Sequence, residues 1–446
     1  MEPSTISQKR NEAPMKTRLC CTLLGLFLLS VIVSPLILQA ADLKSVASDY
    51  LPKLEKNLKE NIVPFWLSKS LDQKNGGYSI SFDQQGEPLA NQTKMIVTQA
   101  RQVWLFSRLA REGYGGKEYL AAADLGYRFL RDKMWDAKHG GFYWLVDESG
   151  NQALLPGKVM YGQSFGLYAV SEYYLATRNE EALKLARQLF DLMEAKAHDP
   201  VYGGYQEKFA ADWSPSNLTR EYFGAGSAAK LMNTHLHLME AMTCFYRASR
   251  LPLARERLLE LITIQSNSVV RKGIGACTDR YERNWQPILT GGGSTVSYGH
   301  DLENIWLLGD ASDAAGISVY PLQDLFQTLF EYSTKYGFDT EKGGFYSTGA
   351  PNQPASDRSK TWWVQAEAMV SALYMHRLTG DPKYLEIFAK TYDFIDNYQV
   401  DWKVGEWHPT VSTDGKGSGS KANAWKAGYH NGRAMIEGIA ILKKAL

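Results

Sequence analysis

The sequence predicts an all-α fold, an (α/α)6 barrel of six helical hairpins carrying short β-hairpin loops. Two observations predict it. The first is a recurring loop: Lys74-Asn-Gly-Gly-Tyr78, Lys138-His-Gly-Gly-Phe142, Val201-Tyr-Gly-Gly-Tyr205 and Glu341-Lys-Gly-Gly-Phe345, with a looser Val404-Gly-Glu-Trp407. The leading glycines at 76, 140, 203, 343 and 405 are 64, 63, 140 and 62 residues apart, and the long step is two repeats of about 70. A fixed period of this kind marks a repeat architecture. The missing sixth copy is expected near Cys277 to Trp285, with its glycines lost. The second observation is that a pair of helical stretches separates successive loops.

The first stretch of each pair runs over Val97–Arg111, Gly162–Thr177, Asn233–Ser249, His300–Leu308, Thr361–Leu378 and Asn431–Leu442, with apolar residues at three- and four-residue spacing. These stretches carry polar and aromatic signatures and are assigned to an inner ring. The second set, Glu118–Lys133, Glu180–Ala197, Ala254–Val270, Pro321–Tyr336 and Pro382–Tyr398, is plainly amphipathic and suits an outer ring. Paired glycines suit positive φ in the tight connections between strands. Neither terminal repeat has an obvious polar cap, which favours a closed ring over an open solenoid. The natural pocket is the barrel mouth, where inner-helix ends and hairpins meet.

At 446 residues, with 44% hydrophobic and 22% charged, the chain has ordinary globular composition. Residues 41–446 are read as a single domain. Lys+Arg at 49 against Asp+Glu at 48 leaves no charge excess to draw nucleic acid or an acidic polymer. Twelve Trp and 25 Tyr suit stacking on sugars. Lys9, Arg10, Lys16 and Arg18 precede an apolar run from Leu19 to Leu38 that ends in Gln39-Ala40-Ala41. Residues 1–40 are therefore expected to be a signal peptide that sends the protein to the periplasm or medium. The alternative is an uncleaved anchor tethering it to a membrane. Cys20 and Cys21 lie in this leader; Cys244 and Cys277 either pair or remain buried thiols, and no CxxC spacing exists.

The chemistry-bearing stretches lie on the inner helices. In Ser297-Tyr-Gly-His-Asp-Leu-Glu-Asn-Ile-Trp306, His300 and Glu303 share a helix face and Trp306 follows one turn later. Trp425-Lys-Ala-Gly-Tyr-His-Asn-Gly-Arg433 places His430 at the mouth of another helix, with Trp425 as a stacking platform. Arg101 stands in an apolar helix, either clamping substrate oxygens or paired structurally. His235 and His237 are two residues apart, about 200° around a helix, and cannot chelate one ion from one face. Asn233 and His237 share a face with Glu240 and are read as lining the pocket, His235 as packing. Trp363 and Glu367 are one turn apart, a stacking face beside a hydroxyl acceptor. His139, His198, His376 and His408 are read as structural or solvated. There is no GxGxxG after a strand, no phosphate loop and no nucleophile elbow, so no cofactor or metal is expected. Two histidines facing a small pocket suit proton abstraction beside a carbonyl, through an enediolate.

Taken together and in order, TQARQVW around Arg101, NTHLHLMEA, SYGHDLENIWLL, KTWWVQAEA and WKAGYHNGRA resemble the acylglucosamine 2-epimerase superfamily, over nearly the whole chain from about Val46. The NTHLHLMEA and WWVQAE forms are similar to its disaccharide branch, which acts on cellobiose or mannobiose. The resemblance implies an (α/α)6 barrel that interconverts reducing-end glucose and mannose units of β-1,4-linked disaccharides by metal-free acid/base chemistry; a monomer is expected. By position, it implies that His430 takes the C2 proton and that His300 assists ring opening and protonates the opposite face. His237 would act at the anomeric or ring oxygen, and Arg101 would polarise O1 or O2. Glu303 and Glu367 would hold the histidines and substrate hydroxyls. Trp306, Trp363 and Trp425 would shape the sugar sites, and Asn233 would contact the reacting sugar. Asn304 and Ile305 stand where the family has small residues and are expected to alter the pocket wall. Two alternatives share this pattern: an aldose–ketose (mannose) isomerase, and an (α/α)6 glycoside hydrolase using Glu303 and Glu367 as its carboxylate pair. A sugar-binding protein without catalysis is a third.

Overall fold

The computed structural model describes residues 43–216, 222 and 229–446, and the leader expected over residues 1–40 lies outside the described residues. Six helices form the inner ring: α2 (Ile96–Arg111), α4 (Met160–Thr177), α6 (Met232–Ser249), α8 (Tyr298–Ala315), α10 (Trp362–Thr379) and α12 (Tyr429–Lys443). Each packs on the next, and α12 returns to α2, so the ring is closed. Five outer helices alternate with them: α3 (Lys117–Phe129), α5 (Glu180–Lys196), α7 (Pro252–Thr263), α9 (Gln323–Gly337) and α11 (Lys383–Phe394). The sixth outer helix, α1, spans residues 43–69, with a π turn at Asn57–Ile62, and packs beside α12. Sequence periodicity had offered no partner for the last inner helix; α1 supplies it from the other end of the fold.

The helix ends follow from local chemistry. Asn179 caps α5 by accepting from the Glu181 and Ala182 amides, with Glu180 and Glu181 in the first turn. Helices α4, α6, α8 and α10 stop at a left-handed residue, Arg178, Arg250, Gly316 and Gly380 in turn. The inner helices α4, α8 and α10 are buried on nearly every face, whereas the outer ones bury a single stripe.

Three of the loop repeats are braced by a glutamine. The aromatic amide donates to a side chain reaching in from the next inner helix: Tyr78 to Gln99 Oε1 (2.9 Å), Phe142 to Gln163 Oε1 (2.8 Å) and Phe345 to Gln365 Oε1 (2.7 Å). This explains the second glycine. At Gly77, with φ +68°, a Cβ would sit 2.7 Å from Gln99 Oε1. A buried lysine ahead of five of the six inner helices also binds an aspartate of the loop: Lys94–Asp72, Lys158–Asp136, Lys230–Asp199, Lys360–Asp339 and, in the last repeat, Lys421–Asp401.

The sixth copy is not where the sequence placed it. Val270 pairs with Cys277, matching the Leu71–Tyr78 and Trp135–Phe142 bridges, so the loop is Val270–Cys277 and not Cys277–Trp285. Gly275 keeps the leading position, Ala276 replaces the second glycine and Cys277 the aromatic residue. Arg271 and Val296 replace the aspartate and lysine, so this repeat lacks the brace. Strand pairing between neighbouring repeats runs round the mouth, from Lys94↔Val146 to Lys360↔Val411. The bridge Phe82↔Ala422 closes that circle.

His235 is the third repeat's version of the glutamine brace. Its Nδ1 donates to the Leu231 carbonyl (2.7 Å) and its Nε2 accepts from the Tyr205 amide (2.9 Å). Burial pushes its pKa down to about 4, so the unfolded chain takes up the proton first. Stability from this group is full above pH 6.5 and is lost as pH falls toward 4. His235→Gln, which copies the other repeats, is expected to keep the fold and to lose less melting temperature than wild type between pH 7.5 and 4.5. Thermal melts at the two pH values check this. Cys244 and Cys277 are both free and buried.

Candidate active site

The N-terminal halves of the inner helices converge on a cavity of about 230 Å³ at the hairpin end of the barrel. Its wall is made by Arg101, Tyr161, Asn233, His237, His300, Glu303, Trp362, Trp363, Trp425 and His430. A larger hollow of about 460 Å³ lies where the C-terminal ends of α8, α10 and α12 meet, but its wall contains no histidine.

Two of the three histidines have a glutamate behind them. His430 Nδ1 donates to Glu367 Oε1 (2.6 Å), and His237 Nδ1 to Glu240 Oε2 (3.0 Å). With Nδ1 carrying the proton, Nε2 of each ring is the basic atom. His300 enters at the start of α8, where Ser297 Oγ accepts from its backbone amide. The Trp363 ring lies 4.8 Å from His300 and 5.7 Å from His430, centroid to centroid, so one indole touches both imidazoles. Burial, then neighbouring His237, holds His300 at about 3; burial, then Arg101 and Arg433, holds His430 well below 6.5. Both rings are neutral at pH 7.

Behind the wall lies a buried charge network centred on Arg433, which is 1% exposed. Its Nη2 donates to Glu303 Oε1 (2.6 Å) and Glu367 Oε1 (2.8 Å), and its Nη1 to Glu240 Oε1 and Tyr429 Oη. Burial and the charge of Glu367 push Glu303 well above the usual carboxylate range. Burial also lifts Glu367, although Arg433 and Trp306 favour its ionised form. Glu240 feels the same burial, but Arg433 and His237 outweigh it and hold the carboxyl at about 2. Glu303, Glu367 and His430 offer ligand atoms within 4.8 Å of one another, the kind of group that can hold a metal. The cation these carboxylates meet is the Arg433 guanidinium, and the grouping is an ion-pair network.

Arg101 is buried, with Nη1 on the Trp425 carbonyl (2.7 Å) and Nη2 on Tyr161 Oη (3.3 Å). Its guanidinium lies over Phe165 at 4.5 Å, and its Nε has no hydrogen-bond partner among the described residues. Asn233 lines the cavity, and its Oδ1 is likewise without a partner there. Trp425 stands at the mouth, 40% exposed, against Trp144 and Tyr161.

Two expected sugar contacts lie behind the wall instead. Trp306 sits one turn deeper than Glu303, where its Nε1 donates to Glu367 Oε2 (3.0 Å) and its face covers Arg433 at 4.7 Å. Glu367 is 1% exposed with both oxygens occupied by Trp306, Arg433 and His430, so it orients His430 and has no oxygen left for a hydroxyl. Asn304 also points away from the cavity, donating to the Gln265 carbonyl (3.0 Å), and with Ile305 fully buried neither alters the wall. Sequence reasoning missed Arg433, Tyr161 and Trp362. Arg433 carried the same signal as Arg101, a cation inside an apolar helix; Tyr161 and Trp362 carried none.

The hydrolase arrangement does not fit this geometry. Glu303 and Glu367 turn their Oε1 atoms to one guanidinium nitrogen instead of flanking the cavity as an acid and a nucleophile.

The N-acylglucosamine 2-epimerase (GlcNAc 2-epimerase) family profile matches residues 76–434. A cellobiose 2-epimerase of Dictyoglomus turgidum is 30% identical over 406 residues, covering 89% of this chain and 99% of its own length. The solved cellobiose 2-epimerase of Bacillus thermoamylovorans is 32% identical with a TM-score of 0.81, covering 88% of this chain and 99% of that one. A D-mannose isomerase of Marinomonas mediterranea is 25% identical, over 86% of this chain and 95% of its own length. The chain belongs to the N-acylglucosamine 2-epimerase family.

Proposed function

We propose that this protein is a carbohydrate 2-epimerase interconverting reducing-end glucose and mannose units of β-1,4-linked disaccharides such as cellobiose. The observation that carries the reading is the pair of neutral imidazoles, His300 and His430, against one Trp363 ring in one cavity. As the sugar ring opens, His300 accepts the anomeric hydroxyl proton. Glu303, kept neutral by burial beside Glu367, supplies one to the ring oxygen. His430 Nε2 then removes the C2 proton, made acidic by the C1 carbonyl. Arg101 faces the resulting enediolate oxygens, and His300 returns its proton to the opposite face of C2. On closure His430 reprotonates O1 and Glu303 recovers its proton, so the cycle balances. His237 has committed its Nδ1 proton to Glu240, so its free Nε2 accepts from a sugar hydroxyl and does not serve as an acid. Trp425 at the mouth offers a stacking face for the second sugar. The basic and apolar leader supports action outside the cytoplasm.

Incubating cellobiose, mannobiose and mannose in heavy water, followed by NMR, tests the reading. The expected result is deuterium at C2 with glucose- and mannose-ended disaccharides interconverting. Ketose formed from mannose, without C2 inversion, would move the assignment to the aldose–ketose isomerase. Because burial holds His300 and His430 well below 6.5, kcat/KM is expected to show no inflection there. Protonating His430 removes the base, so the acid limb appears only at well lower pH, readable in a pH–rate profile.

A further inference from the structure

We propose that Arg433 is a positioning residue that ties the two histidine–glutamate pairs into one unit, setting the ring orientation and tautomer of His237 and His430 together. This inference rests on the epimerase reading for its activity arm only. Arg433 lies one turn after His430 on α12 but takes no part in the cavity wall. One edge of its guanidinium holds Glu240, whose other oxygen receives His237 Nδ1–H. The other edge holds Glu367, whose Oε1 also receives His430 Nδ1–H, and Glu303. Glu240 stands on α6, Glu303 on α8 and Glu367 on α10, so one side chain spans three helices besides its own.

The guanidinium is suited to this because its donors form a rigid planar fork, where an ammonium is a compact point charge on a flexible stem. Its faces are covered by Trp306 at 4.7 Å and Tyr429 at 4.3 Å. Without that charge the Glu240 and Glu367 carboxylates would be left unpaired in the core beside Glu303 and would take up protons. A protonated glutamic acid holds an imidazole Nδ1–H far more weakly than a carboxylate does, and both rings would be freer to turn or change tautomer. The arrangement therefore predicts that a change on the Glu240 side is felt at His430, which Glu240 does not touch.

Nitrogen-15 NMR of histidine-labelled full chain, without sugar, reads this directly. In wild type His237 and His430 are expected as neutral rings protonated at Nδ1. Arg433→Gln is expected to abolish that pattern in both rings, with kcat for epimerisation falling about 100-fold or more and KM within about threefold. Arg433→Lys should restore one ring at most. Glu240→Gln, which keeps Arg433, covers the case in which Arg433→Gln does not fold: the His430 Nδ1 resonance is expected to move. An unchanged His430 resonance in Glu240→Gln, or loss of the pattern at only one histidine in Arg433→Gln, overturns the proposal. A wild type that lacks epimerisation but shows the coupled resonances overturns the epimerase reading and leaves the coupling standing.

Discussion

His430→Asn is expected to lower kcat/KM for C2 epimerisation by about 10³–10⁴-fold, the range that loss of one acid/base group commands. The fold should survive, because among the described residues the imidazole makes a single hydrogen bond, to Glu367, and asparagine keeps a donor. Heavy-water NMR separates this variant from its partner. With His430 gone, deuterium no longer enters C2 of the glucose-ended sugar. With His300→Asn, His430 still removes that proton and returns deuterium to the same face, so exchange continues slowly without inversion. Equal exchange in both variants would show that the two rings do not divide the faces of C2 between them.

Glu367→Gln is expected to cost about 10²–10⁴-fold in kcat, comparable to replacing the buried carboxylate behind a catalytic histidine by an amide. Three donors converge on Glu367: Trp306 Nε1, Arg433 Nη2 and His430 Nδ1. An amide has one acceptor oxygen and an NH2 group, so either orientation opposes donor to donor. With its NH2 toward Arg433 and His430, His430 must move its proton to Nε2, the atom that serves as base. With its NH2 toward Trp306, a buried indole N–H loses its partner, at about 1–3 kcal/mol. Steady-state kinetics with a thermal melt distinguish the two: the first orientation, which also sets the NH2 against Arg433 Nη2–H, costs rate as well as stability, and the second costs stability without moving the His430 proton.

The barrel was legible because Gly-Gly-aromatic loops recur with a period too regular for chance, and because apolar spacing outlined five complete helix pairs. The misplaced sixth loop shows the limit of that signal. Gly275-Ala276-Cys277 performs the same turn, but the inner-helix side chain that meets it is Asp301, whose carboxylate accepts from the Cys277 amide, so a glutamine-shaped clearance is not required. In the last repeat Glu406 takes the second glycine's place at φ 62° and uses its own carboxylate for the Trp407 amide. Helix α1 lies ahead of the first Gly-Gly-aromatic motif, outside the span over which the repeat is counted. At the site, His300, His430, His237 and Arg101 stood out as polar residues on apolar helices, and the structure gathers them around one cavity. Depth was not legible. Trp306 and Glu367 share a face with the cavity residues, but one further helical turn carries a side chain about 5 Å deeper, out of reach of a sugar.

The ring closes through partners from the two ends of the fold. Trp407 Nε1 donates to Asn57 Oδ1 across 350 residues, Trp66 Nε1 to Glu406 Oε2, and Lys443 binds Glu55 at 2.9 Å. On a ribosome, α1 is the first barrel helix to emerge and must wait with its apolar stripe uncovered until α12 is made. Long-range closure of this kind slows folding and leaves early segments exposed meanwhile. His430 is carried by that last helix. Proton-transfer competence is thus the final property the growing chain acquires, and a prematurely terminated chain has His300 with no partner across the cavity.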